Sequence, residues 1–330
     1  MSRPRRGPTA LKDLKTPPAK LREQWGLQGS QRHGIGLRPK GRGRELNGSF
    51  LPRSIDGERQ RRITMKVSFM TWICPEWTLT EVLTGAVRYG YDGVEPRAEG
   101  NQKHGVELAT TKKQRKEIAS AFADCGVEMS CIATSIKYSS ADADERAEMV
   151  ERTKKFVDLA ADVGCPYLRV FGGKLPDEVE KEDVKKYVAE SLRECGEHAA
   201  ASEVQVLLET HDDFRKAQDA VDTVRMADHA SVQILWDIAH PFHAGDTIQE
   251  AFDLVKPHVR HLHVHDYLTE EGEREAAFIG EGNVPHEEAV RLLKTIDFKG
   301  HLSGEWIKFG PAETVLPRDL GTLRGYIAGG

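Results

Sequence analysis

From Lys66 to the C-terminus, short apolar or β-branched runs alternate with longer segments of helical period. Eight such runs follow in order: 66–72, 91–95, 127–134, 166–171, 204–209, 231–237, 259–264 and 300–305. No other feature constrains the fold as strongly, because repeated strand–helix units imply right-handed crossovers and a parallel sheet. The intervening segments include TLTEVLTGAVRYG, TTKKQRKEIASAFADCG and ADERAEMVERTKKFVDLAADVG, each ending at a Gly as a helix C-terminus prefers. Eight units in the 266 residues from 65 to 330 fit one (β/α)8 barrel domain of the TIM-barrel type, an architecture that typically takes ~250 residues. WICPEW follows the first run where a dinucleotide fold would place a glycine-rich loop, which argues against a nicotinamide enzyme.

Four of these runs end on or close to a residue able to bind a metal ion: Glu209 in VQVLLE, Asp237 in SVQILWD, His263 in VRHLHVHD and Glu305 in HLSGEW. Strand ends of a closed parallel barrel converge on one rim, so ligands far apart in sequence can meet there. Alternate residues of a barrel strand face inward. Glu209 shares parity with Leu207 and Gln205, Asp237 with Leu235 and Gln233, His263 with His261, and Glu305 with Ser303 and His301. The other parity holds Val206, Leu208, Ile234, Trp236, Leu262, Val264 and Leu302. The apolar side therefore suits the helices, and the four candidate ligands face the interior. Three carboxylates and an imidazole suit Mn²⁺ or Mg²⁺, with Co²⁺ and Zn²⁺ compatible; a closed structural zinc site would favour Cys or more His. Each carboxylate alone is equally explained as a helix cap or an Arg partner; the four together point to a metal site.

Three further residues are candidates for the substrate. His240 lies three residues beyond Asp237, where it can bond a substrate hydroxyl or a second ion. His211 lies two residues beyond Glu209 at the same parity. Arg169, in YLRVFGG, is expected either to anchor an anionic or hydroxylated substrate or to pair with a barrel carboxylate such as Glu95.

Residues 1–64 are a different object: they carry 16 Lys+Arg against 5 Asp+Glu, whereas residues 65–330 carry 31 against 47. This leader is rich in Pro, Gly and Arg, lacks a sustained period, and reads as disordered. Met65, immediately before the first strand, is a candidate start and the leader a candidate non-native extension. No apolar stretch of signal-peptide or membrane-span length is present. Five scattered cysteines without a Cys-x-x-Cys pair fit reduced thiols in a cytoplasm. The acidic body argues against nucleic acid as a partner. A homo-oligomer is left open.

The pieces GYDGVEPR (90–97), LLETH (207–211), WDIAH (236–240), HLHVHD (261–266), GEGNVP (280–285) and GEW (304–306), in this order and spacing, resemble the xylose isomerase-like TIM barrels. This is the sugar phosphate isomerase/epimerase superfamily, which also contains endonuclease IV. The resemblance implies metal ligation by Glu209, Asp237, His263 and Glu305, substrate contact by His240, and proton transfer by the two Glu residues. It implies an isomerase or epimerase acting on a sugar or related polyhydroxylated carbonyl compound through an enediolate. A lyase of the inosose dehydratase type is the alternative, and a non-catalytic sugar-binding barrel a further one. Endonuclease IV itself requires His ligands that MSCIATS and YLTEEGEREAAF lack. Ketose 3-epimerases place an Arg six residues after the metal His, where this chain has Thr269, so the substrate is open.

Overall fold

In the computed structural model, which describes residues 65–270, 273–307 and 309–329, the apolar runs become strands. In chain order they are β1 (Lys66–Met70), β2 (Gly93–Glu95), β3 (Glu128–Met129), β4 (Ile132–Lys137), β5 (Tyr167–Phe171), β6 (Gln205–Glu209), β7 (Val232–Asp237) and β8 (Val259–Val264). A hairpin of β9 (Asp266–Glu270) and β10 (Glu273–Ala277) follows, and then β11 (His301–Gly304). The main sheet runs β3-β2-β1-β11-β8-β7-β6-β5-β4, with every pairing parallel. Backbone bonds from Ala98 N to Ala133 O (2.9 Å) and from Ala133 N to Pro96 O (3.0 Å) join its two ends. The expected leader and the Met65 start concern residues 1–64, outside the described residues.

The third predicted strand is two pieces, interrupted at Ser130 and Cys131. β3 pairs only with β2 and β4 only with β5, so together they form a single staggered stave that closes an eight-stave barrel. The hairpin β9–β10 does not follow from an apolar pattern, since its two antiparallel strands are charged and stand outside the barrel sheet.

Local chemistry sets the helix limits. Thr78 with Glu81, Thr111 with Gln114 and Thr247 with Glu250 form capping boxes at the starts of helices Leu79–Tyr89, Lys112–Cys125 and Ile248–Val255. Gly90, Gly126 and Gly164 end their helices in the left-handed region, where a Cβ is unfavourable.

The parity argument holds along the strands. Val206, Leu208, Ile234, Trp236, Leu262, Val264 and Leu302 belong to the core between sheet and helices, whereas Leu207 and Leu235 are buried outside that cluster. Each such buried aliphatic or aromatic side chain contributes roughly 1.5–3 kcal/mol of burial free energy. The barrel interior is polar by comparison: Ser68, Glu95, Gln233, His261, His263 and Ser303 are all buried. Branched apolar layers usually fill this space, so these groups signal function more than packing.

Candidate metal centre and active site

The rim at the C-terminal ends of the strands gathers Glu209 from β6, Asp237 from β7, His263 from β8 and Glu305 from the residue after β11. One ligand-capable atom from each lies within 4.8 Å of every other. Register explains the meeting: Glu209 pairs with Leu235, Asp237 with His263 and Ser303 with His263 across neighbouring strands. Three carboxylates meeting inside a barrel need positive charge beside them; Arg169, His263 and His265 supply some of it, and the mixed oxygen and nitrogen donor set is one that a divalent ion could use.

Each of the four has its own environment. Glu209, fully buried, places Oε2 3.1 Å from Arg169 Nε and Oε1 3.1 Å from His263 Nδ1. Burial opposes its charge, but Arg169 and then His263 outweigh that effect and hold the carboxyl below the usual range. Asp237 Oδ1 accepts from the amides of Ala239 (2.9 Å) and His240 (3.2 Å), while Oδ2 accepts from His265 Nε2 at 2.6 Å. Burial again opposes ionisation, and His265 and His240 hold Asp237 low. Glu305 Oε2 stands 3.2 Å from His263 Nδ1, and its side chain keeps 12% of its exposure while the other three are fully buried. It is the member that incoming substrate can reach most readily.

His263 is gripped from below. Its Nε2 donates to Glu95 Oε1 (3.0 Å), and the other oxygen of Glu95 accepts from His261 Nε2 (2.8 Å). A carboxylate behind an imidazole fixes both ring orientation and tautomer, which turns Nδ1 toward Glu209 and Glu305. Burial disfavours the imidazolium, yet Glu95, Glu305 and Glu209 outweigh it and raise His263 well above its ordinary value.

The other sequence candidates fall around this cluster. Arg169 is held by Glu209 and not by Glu95; its Nη1 donates to Thr134 O (2.8 Å) and its guanidinium lies 4.0 Å over the Phe171 ring. Of the two roles left open for it, pairing with a barrel carboxylate is the one the geometry supplies. His240 Nε2 is 3.7 Å from Asp237 Oδ2, and its ring meets those of His211 (4.5 Å) and His265 (5.6 Å). Burial lowers the His240 pKa, which favours a neutral ring able to donate from one nitrogen and accept at the other. His211 packs on Phe171 at 4.5 Å, with Nδ1 3.3 Å from Asp212 Oδ1. Burial opposes its charge, but the Asp212 bond and Glu209 outweigh it and raise it to about 9.

Two residues of this region were not singled out from the sequence: His265, which donates to Asp237, and Arg97, which sits at the rim just beyond β2. Glu95, expected only as a partner for Arg169, instead orients His263. The signal for His265 was present: His261, His263 and His265 recur with the strand period of two in HLHVHD, which puts all three on one face. The GEGN turn is occupied from within. Asp266 accepts from the amides of Gly280 (2.9 Å), Gly282 (3.1 Å) and Val284 (3.0 Å), so its glycines serve a structural anchor.

Among the described residues, no helix is long and apolar enough to cross a membrane. A model of the xylose isomerase-like TIM barrel family matches residues 83–326. L-ribulose-5-phosphate 3-epimerase of Shigella boydii serotype 18 is 23% identical over 259 residues, 76% of this chain and 90% of that protein. Among solved structures, the probable 3-DHS dehydratase AsbF of Bacillus anthracis superposes with a TM-score of 0.66 at 20% identity, over 79% of this chain and 99% of that one. The IolI protein, solved with a bound zinc atom, gives 0.67 at 17% identity over 79% and 96%. With the family model spanning most of the barrel and the fold agreeing, this chain belongs to the xylose isomerase-like TIM barrel family.

Proposed function

We propose that the chain is a divalent-metal-dependent isomerase or epimerase of a sugar or related polyhydroxylated carbonyl compound. The observation that carries this reading is the convergence of Glu209, Asp237, His263 and Glu305 within 4.8 Å, inside a barrel rim and with three carboxylates among the four. An epimerase among the chain's relatives and a zinc-bearing protein among its structural neighbours support the same class. Mn²⁺ or Mg²⁺ fits the oxygen-rich donor set best, with Co²⁺ and Zn²⁺ also accommodated. A bound ion would polarise the substrate oxygens and stabilise the negative charge that develops on them.

The residues supply the rest. Moving hydrogen next to a carbonyl requires a base to remove the proton and an acid to return one, worth ~10²- to 10⁴-fold in rate each. Glu209 and Glu305 take these roles. Glu209 is locked by Arg169 at 3.1 Å on Oε2, which keeps it ionised and leaves Oε1 facing His263 Nδ1 at 3.1 Å. Glu305, the more accessible of the two, works from the neighbouring side of the rim. Proton removal gives an enediolate, and reprotonation at the other carbon completes an isomerisation; return to the same carbon from the opposite face completes an epimerisation. Asp237 has both oxygens committed by hydrogen bonds and acts only as a ligand. His240 and His211, on the mouth side, orient substrate hydroxyls.

A lyase is the second reading. The observation favouring it is the imidazole pair at Asp237, in which His265, held by that carboxylate, would protonate a departing β-hydroxyl and neutral His240 would orient it. The likeness to a probable dehydratase supports the same option. Solvent-deuterium exchange with the metal-loaded protein on a panel of ketoses and inososes separates the readings. Deuterium wash-in with unchanged composition supports the isomerase or epimerase, loss of water the lyase, and neither outcome across the panel overturns catalysis in favour of sugar binding alone.

A further inference from the structure

Arg97 is used by none of these steps, yet it is placed at the same rim. It follows β2 in the segment GYDGVEPR and retains only 8% of its exposure. Nη1 donates to the carbonyls of Ala98 and Ala133, and Nη2 to Ser135 Oγ at 2.5 Å. The Trp72 ring lies against the guanidinium, 5.0 Å from its carbon to the ring centroid. These contacts, all neutral, hold the plane of the group fixed.

What they leave over is specific. Among the described residues, Nε–H and one of the two Nη2 hydrogens have no protein acceptor. Nor does any carboxylate form an ion pair with Arg97 among those residues. Of the two acids two residues away, Glu95 is taken by His261 and His263, and Glu99 directs one oxygen to Arg152 Nε (2.5 Å) and the other to the Ser135 amide (2.7 Å). Burial first, and Arg169 next, push Arg97 down to about 10, so it remains charged at neutral pH. Glu99 first, then Glu305 and Glu209, act on it in the opposite sense, and the last two place it within electrostatic reach of the four-residue cluster.

A mostly buried cation without a counter-ion is costly. A guanidinium edge with two parallel N–H groups matches the two oxygens of a carboxylate or phosphate. Arg169, the other rim guanidinium, already has its carboxylate in Glu209. We propose that Arg97 is the subsite for an anionic substituent, a carboxylate or phosphate, carried by the substrate on the part of the molecule away from the reacting carbonyl. The inference rests on the proposed function only in taking the reacting end of that substrate to lie at Glu209 and Glu305.

The test is titration calorimetry on the Mn²⁺-loaded full chain with two matched probe pairs at low salt: D-ribulose 5-phosphate against D-ribulose, and quinate against methyl quinate. A bidentate charged contact predicts that one charged probe binds ~10- to 100-fold tighter than its neutral partner. The pair that shows the difference identifies phosphate or carboxylate. Arg97→Gln should reduce that ratio to within about threefold, while Arg97→Lys, a cation without the bidentate edge, should keep an intermediate ratio. Unchanged Mn²⁺ binding shows that the variants are intact, and Arg97→Lys alone suffices if Arg97→Gln does not fold. Equal binding of charged and neutral probes in both pairs overturns the proposal, as does a ratio that survives both substitutions. Deuterium exchange into D-ribulose reads the proposed function independently, so either idea can fail while the other stands.

Discussion

Replacing Glu95 with Gln removes one charge and almost no volume from the interior of the barrel. In the native protein its two oxygens accept from His263 Nε2 at 3.0 Å and His261 Nε2 at 2.8 Å, with all three side chains fully buried. Glutamine offers one acceptor and one donor, so one imidazole loses its acceptor and meets an N–H group. Hydrogen bonds to a charged group are worth ~1.5–3 kcal/mol and neutral ones about 1. The loss at His263 is therefore about 1–2 kcal/mol, felt as a weaker and less well oriented Nδ1. Losing such an orienting partner usually costs 10- to 100-fold in metal affinity. Titration calorimetry of the apo-protein with Mn²⁺ should show a Kd ~10- to 100-fold higher in Glu95→Gln, with near-native circular dichroism. A change of less than about threefold in a folded variant would refute the claim that Glu95 acts through His263.

Glu209→Gln and Glu305→Gln should each lower turnover by ~10²-fold or more, with the barrel still folded. Retained turnover in either, measured once a substrate is in hand, contradicts the two-carboxylate scheme. His104 predicts an acid-sensitive fold. Its Nδ1 accepts from Val106 N (3.0 Å) and its Nε2 faces Arg97 O (3.2 Å), an arrangement only the neutral ring satisfies, and burial lowers it to about 4. Because the unfolded state binds the proton at ~6.5 and the native state near 4, stability falls as pH drops between these values, by about 2 kcal/mol from pH 7 to pH 5. Urea melts should show that His104→Asn loses less over this interval than the parent; an identical slope contradicts the assignment. Gly282→Ala should destabilise by ~1–3 kcal/mol, because an added Cβ would meet Asp266 Oδ1 at 2.1 Å and unseat that carboxylate from its three amides. A thermal midpoint unmoved by this change counts against the anchor.

The barrel and the four converging residues were legible because both rest on periodicity. The strand period of two separated Val206 and Leu208 from Leu207 and Glu209, and barrel closure then brought the inward set together. What escaped the sequence depends on pairings that no period encodes. Whether Arg169 would find Glu209 or Glu95 is decided by strand register: Arg169 pairs with Leu207, two residues before Glu209 on the adjacent strand, whereas Glu95 is taken by His261 and His263. The break at Ser130–Cys131 reflects barrel closure, since β3 and β4 serve different neighbours. The hairpin β9–β10 has no apolar face to betray it, being built from DYLTE and EREAA.

Anomalous scattering from a Mn²⁺-soaked crystal of the full chain tests the central claim most directly. The account predicts one strong peak at the barrel rim, ~2.0–2.3 Å from oxygens of Glu209, Asp237 and Glu305 and from Nδ1 of His263, with Glu95 still on Nε2. No peak among these four residues, or a peak held by other side chains, would contradict it.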